Sequence, residues 1–306
     1  MNKRLLLAVV LLFTVVFMTG CFPKKQPANG GDKLKVYTSF YPMYDFAKKV
    51  GGEKIELTNL TSSGGEVHDW EPSANDIIKL EGADVFIYNG AGMEHWVKKV
   101  LKSLSNKELV VVEASKGIAF LDSEQEDGHS EEEGTDPHVW LSIKNAKLQM
   151  ENIKNAFVSA DPQNAAYYER NYTKYASLFD ALDKEYGESL AALPGKNIVV
   201  SHKSFAYLCH EYGLNQIGIE GVSADSEPEP RKMAEVIRFV KENNVKYILF
   251  QSLVSPKTAD TIARETGAST AVLSSVERLT DEQLASGADY LSIMRENLET
   301  LKKALE

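Results

Sequence analysis

The chain has 306 residues, of which 43% are apolar and 25% charged, and a net charge of −10 at pH 7. That length suffices for two domains of ordinary size, each with its own core. The acidic balance argues against nucleic acid or an anionic surface as a partner and suits the collection of cations.

The amino terminus has the pattern of a targeting segment. Lys3 and Arg4 precede an apolar run, 5–17, too short for a comfortable membrane span. Met18-Thr19-Gly20-Cys21 then resembles a bacterial lipobox. The resemblance implies a signal peptide over 1–20, removed before Cys21, with lipid on the Cys21 thiol and on the new amine. Two or more acyl chains anchor stably where one is marginal. Residues 21–32, with Pro23, Pro27, Gly30 and Gly31, lack apolar periodicity and read as a flexible tether. Cys209 is then the one cysteine left, so no internal disulfide forms, and its apolar helical setting marks it as a small buried hydrophobe.

Strand patterns at 34–40, 55–60, 85–88 and 109–112 alternate with helical ones at 41–50, from about Asn75, and at 94–103. Such alternation predicts βαβ units and a mainly parallel sheet, placing an amino-terminal αβ lobe at 33–160. Ser73 is positioned to cap the helix that follows it, with Asp76 at the acidic end of its dipole. Residues 121–135 interrupt the rhythm with Asp122, Glu124, Glu126, Asp127, His129 and Glu131. This acidic loop reads equally as a solvated insertion or as a weak cation-gathering segment in which His129 offers the one imidazole.

A helix is predicted over 143–160, and a second over 161–193, started by Asp161-Pro162. In the second, Tyr168, Tyr172, Tyr175, Phe179, Leu182, Tyr186, Leu190 and Leu193 recur at three- and four-residue intervals. Roughly thirty residues of helix span about 45 Å, which reads as a rigid connector between two αβ halves. The carboxy-terminal lobe, 194–306, begins at Pro194-Gly195. Its strands are expected at 198–201, 216–219, 247–251 and near 271–273, and its helices at 205–212, 229–243, 256–266 and up to Leu305.

Three histidines stand at element boundaries. His68 follows a glycine loop, His138 follows Asp136-Pro137, and His202 ends the β-branched run Ile198-Val199-Val200-Ser201. Open α/β sheets bind ligands just beyond the carboxyl ends of their strands, where His202 falls. The spacing matches no local zinc motif, so position alone makes the three candidates for convergence and no more.

A larger resemblance then covers nearly all of the chain beyond the signal. It rests on His68-Asp69-Trp70-Glu71-Pro72-Ser73, Asp136-Pro137-His138-Val139-Trp140-Leu141, Ser201-His202-Lys203-Ser204-Phe205 and Tyr212-Gly213-Leu214. It continues through Glu227-Pro228-Glu229-Pro230, Ser255-Pro256-Lys257, Ala263-Arg264-Glu265-Thr266-Gly267 and Asp289-Tyr290-Leu291-Ser292-Ile293. These runs resemble the metal-binding lipoproteins of bacterial transporters driven by ATP hydrolysis, of the zinc and manganese type. The resemblance implies two αβ lobes joined by a long helix, with the metal in the cleft between lobes. It implies His68, His138 and His202 as ligands, with Asp289 at the position of a fourth, carboxylate ligand. Where the family often carries an acid, this chain has Gln251.

Manganese-type relatives tend to carry a glutamate at the position of His202, and imidazole suits zinc, so Zn(II) is the expected cargo over manganese or iron. The expected protein is a monomer, lipid-anchored on the extracytoplasmic face of the cell membrane, with an ABC-type permease as its partner. A competing reading is a zinc hydrolase with Glu66 or Glu71 as general base. Adhesion, a role also described in the family, is secondary.

Overall fold

The computed structural model describes residues 33–63, 67–122, 134–221, 229–251 and 256–306. Cys21, the tether, Glu66 and His129 lie outside them.

Two four-stranded parallel sheets form the framework. Strands β1 (Leu34–Thr38), β2 (Ile55–Asn59), β3 (Val85–Tyr88) and β4 (Val110–Glu113) pair in the order β2-β1-β3-β4. Val36 of β1 sits beside Leu57 on one side and Val85 on the other. Strands β5 (Asn197–Val200), β6 (Asn215–Gly218), β7 (Tyr247–Phe250) and β8 (Ser269–Val272) repeat that order as β6-β5-β7-β8. In each sheet the chain reverses direction of travel between two central strands, β1 and β3 or β5 and β7. Crevices at the carboxyl ends of such pairs are where open α/β sheets bind ligands.

In the first lobe, α1 (Tyr41–Gly51), α2 (Ala74–Glu81) and α3 (Val97–Ser103) follow their strands. Helix α2 starts as expected, with Ser73 and Asp76 forming a reciprocal capping box. Helix α3 starts three residues later than the pattern suggests. Gly90, Ala91 and Gly92 all adopt positive φ, and Glu94 turns back to accept from the Asn89 and Gly90 amides instead of entering a helix.

Helix α4 (Ile143–Ala160) is followed by α5 (Ala165–Ala191), whose 27 residues span about 40 Å. The expected continuous start at Asp161 is replaced by a 3₁₀ turn over Pro162–Asn164. The Asp161 carboxylate anchors that turn by accepting from Asn164 and from the Tyr168 hydroxyl. The second lobe carries α6 (Ala206–Tyr212), α7 (Pro230–Glu242), α8 (Lys257–Thr266), the short α9 (Asp281–Ala285) and α10 (Tyr290–Leu305).

The lobes share one apolar core. Tyr168, Phe179, Leu182, Tyr186 and Leu190 of α5 are buried in the same cluster as Phe46 of α1 and Tyr290 of α10. The Tyr290 ring stacks on Phe179 at 5.3 Å and meets Phe46 edge-on at 5.1 Å. Its hydroxyl donates to the Trp140 carbonyl at 2.6 Å. Between α1 and the start of α10 lies an ion cluster, in which buried Lys49 Nζ bonds buried Asp45 at 2.6 Å and the part-exposed Asp289 at 2.8 Å.

Candidate metal centre

His202 stands two residues beyond β5, so the run of buried apolar residues that forms the strand also delivers its ring to the sheet's carboxyl edge. His138 arrives from the first lobe, immediately before a 3₁₀ turn at Val139–Leu141. Its backbone is held from both sides: Asn89 donates to the Pro137 carbonyl at 3.0 Å, and Tyr207 of α6 donates to the Asp136 carbonyl at 2.8 Å. Asn89 is itself fixed by Gln149, which donates to its side-chain oxygen at 2.7 Å. His68 follows β2 and the loop beyond it, with its side chain 7% exposed.

The three rings close a triangle. Centroids are 5.1 Å apart for His68 and His138, 5.6 Å for His68 and His202, and 5.0 Å for His138 and His202. One nitrogen from each can be chosen so that all three lie within 4.8 Å of one another. A single ion can therefore reach all three.

Asp289, the carboxylate that the sequence resemblance put beside them, is engaged by other partners. Its oxygens accept from Lys49 Nζ and from the Ser292 amide, which makes it the N-cap of α10 and an anchor for the buried lysine. The carboxylate that does face the rings is Glu277, buried, with Oε1 3.2 Å from His138 Nε2 and 4.0 Å from His68 Nε2. Three fixed contacts aim it. Asn297 brackets Ser274, accepting from its amide and donating to its carbonyl, both at 2.8 Å. Trp140, two residues after His138, donates its indole N–H to the Ser275 carbonyl at 2.7 Å. Val276 is held at φ +61°, a conformation costing a β-branched residue about 1–2 kcal/mol.

The electrostatics favour a cation. Burial by itself would raise the Glu277 pKa, but the His138 contact and the three surrounding rings outweigh it and hold the carboxyl at about 2. Burial would likewise discharge His138, yet Asp136 at 2.8 Å from Nδ1 and Glu277 beside Nε2 lift it to about 9. At His68 burial outweighs the raising effects of Glu277 and Asp69 and brings the ring down to about 4. Among the described residues, His68 Nε2, His138 Nε2 and Glu277 Oε1 are buried with no hydrogen bond beyond the 3.2 Å approach of His138 Nε2 to Glu277 Oε1. Buried polar atoms in that condition are costly and point to a ligand. Three imidazole nitrogens and one carboxylate form the donor set of a tetrahedral zinc site. A doubly charged cation would balance Glu277 and Asp136, one charge each.

Glu71 is exposed, and Glu66 lies outside the described residues. Cys209 is buried in α6, and burial pushes its thiol up to about 12, as befits an inert core residue.

Paired parallel α/β lobes, bridged by a long helix and enclosing a buried imidazole cluster, define a two-lobed protein with a candidate metal site. The family model described as zinc-uptake complex component A, periplasmic, matches residues 36–304. The chain belongs to that family. It is 40% identical to the high-affinity zinc uptake system protein ZnuA of Bacillus subtilis, over 98% of this chain and 97% of the relative. It is 38% identical to the zinc-binding protein AdcA of Streptococcus pyogenes, but spans only 61% of that longer protein. Among solved structures, the Zn(II)-bound ZnuA-like domain of Streptococcus pneumoniae AdcA matches with a TM-score of 0.79 and 36% identity. That match covers 90% of this chain and 99% of the domain.

Proposed function

We propose that this protein captures Zn(II) outside the cytoplasm, on His68, His138, His202 and Glu277, and delivers it to an ATP-driven membrane permease. The observation that carries this reading is the convergence of three imidazoles on one point, with a buried carboxylate facing them. Imidazole-rich sites suit zinc, and oxygen-rich ones suit manganese. Lipid on Cys21 keeps the protein at the membrane, where it acts as a monomer. Release to the permease requires displacement of a ligand, and the shared core makes that a local event rather than a wide opening of the lobes.

Elemental analysis and calorimetry on the mature protein test the first part. The expected result is one zinc per chain, bound more tightly than manganese; tighter manganese binding overturns it. Palmitate labelling tests the second, since Cys21→Ala should abolish incorporation and release the protein from the membrane fraction.

A further inference from the structure

His202 and His138 come from opposite lobes, yet one hydroxyl group joins the short segments that carry them. Tyr207 stands in the first turn of α6, soon after His202, and is buried. Its hydroxyl donates to the Asp136 carbonyl at 2.8 Å and accepts from the Leu121 amide at 3.0 Å. The Asp136 amide closes the ring by donating to the Leu121 carbonyl at 3.0 Å. A hydroxyl carries one proton and an N–H cannot accept it, so the bond from Tyr207 to Asp136 is fixed in direction.

Both arms that lead from this bond to the imidazoles are stiff. On the second-lobe side, the Lys203 amide donates to the Gly221 carbonyl and the Ser204 amide to the His202 carbonyl. The Phe205 amide then donates to the Gln216 side chain of β6 at 2.9 Å. On the first-lobe side, the ring of Pro137 fixes its φ, and the His138 amide donates back to the Asp136 carboxylate at 2.8 Å. The two arms face each other across ring centroids 5.0 Å apart. Other ties between the lobes act at different places. Trp140 and Tyr290 bond the turn after His138 to the Ser275 carbonyl and to α10. At the far end of α6, Glu211 pairs with Lys144 and the Tyr212 hydroxyl donates to Asp183 of α5 at 2.8 Å.

We infer that Tyr207 is a positioning residue whose hydroxyl sets the separation of His138 and His202, and with it the coordination geometry offered to an ion. This rests on the zinc-capture reading above. Zinc–nitrogen bonds are about 2.0–2.1 Å long, and a ligand set must hold its geometry to within about 0.5 Å, so slack between two imidazoles weakens both bonds. Without the hydroxyl, the Asp136 carbonyl loses its link to the helix that follows His202.

The test compares Tyr207→Phe with Tyr212→Phe in the full mature chain; each keeps its ring and deletes one hydroxyl from α6. Zinc alone is titrated against a chelator, Co(II) serves as a visible probe of coordination in zinc's place, and Tm is measured throughout. Tyr207→Phe should raise the zinc Kd about tenfold or more, the size of an outer-partner effect, and weaken the visible bands of tetrahedral Co(II). Tyr212→Phe should lower Tm while leaving the zinc Kd within about twofold of wild type and the Co(II) bands unchanged. Equal behaviour of the two variants toward both metals, whether binding is kept or weakened, would overturn the inference. Failure of the wild type to bind one zinc would instead overturn the capture reading.

Discussion

Glu277 Oε1 lies 3.2 Å from His138 Nε2, and the two residues belong to opposite lobes. The Trp140 indole ties their two segments together through the Ser275 carbonyl, so the distance is fixed by packing and not by the pair's own attraction. A metal ion placed there completes contacts for which the fold has already met the cost of assembly.

Removal of either the carboxylate or the second lobe's imidazole should therefore cripple capture. Loss of an outer partner alone costs about 10- to 100-fold in metal affinity, so loss of a direct ligand should cost at least about 100-fold. Glu277→Ala and His202→Ala should each raise the zinc Kd by that factor in chelator competition. Wild-type affinity in Glu277→Ala would remove Glu277 from the centre.

Asp289 should behave in the opposite way. Its bonds are to Lys49 and Ser292, so Asp289→Asn should leave the zinc Kd within about twofold of wild type, a change below the size of an outer-partner effect. It should lower Tm instead, because charge-assisted bonds of this kind contribute about 1.5–3 kcal/mol. Lys49→Met should be worse, at about 3–5 kcal/mol, since it leaves Asp45 charged and buried without its cation. Thermal unfolding beside zinc titration separates the two effects.

Neither the place of Asp289 nor that of Glu277 was read from the sequence, and the reasons differ. Asp289 precedes a helical run with Ser292 three residues on, a local N-cap signature, and capping is the role it fills. His202 was legible because it ends a continuous apolar strand. Glu277 stands in the loop between β8 and α9, without periodicity, and is aimed by Asn297, Trp140 and a strained Val276, all of which are tertiary facts. The same holds for α3, whose late start depends on Glu94 folding back onto the 89–90 amides. Helix α9 did carry a readable signal: Thr280 and Gln283 form the capping box that its sequence spells.

The lobes should move little as zinc comes and goes. Phe46, Phe179 and Tyr290 pack as one aromatic group across α1, α5 and α10, and wide opening would expose all three. Small-angle scattering with and without zinc should give the same radius of gyration within error. A measurable contraction on zinc binding would mean that the shared core divides.

Zinc binding should release a proton, and the pH window follows from His138. In the metal-free protein that ring is protonated up to about 9, because Asp136 and Glu277 overcome the opposing effect of burial. In the bound protein its Nε2 must be free, so between pH 6.5 and 9 binding expels about one proton from His138. Affinity should rise about tenfold per pH unit across that range from this group and level off above it. His68, brought down to about 4 by burial, is already neutral there and steepens the dependence only at lower pH. The sign for metal-free stability is opposite. A folded-state pKa raised above the ordinary 6.5 stabilises fully below 6.5 and stops doing so as pH climbs through about 9. Metal-free Tm should thus lose this contribution between pH 6.5 and 9, while the stabilisation conferred by zinc grows. Calorimetry at pH 7.5 in two buffers of different ionisation enthalpy measures the proton count directly. A value near zero would mean that His138 is neutral before the metal arrives.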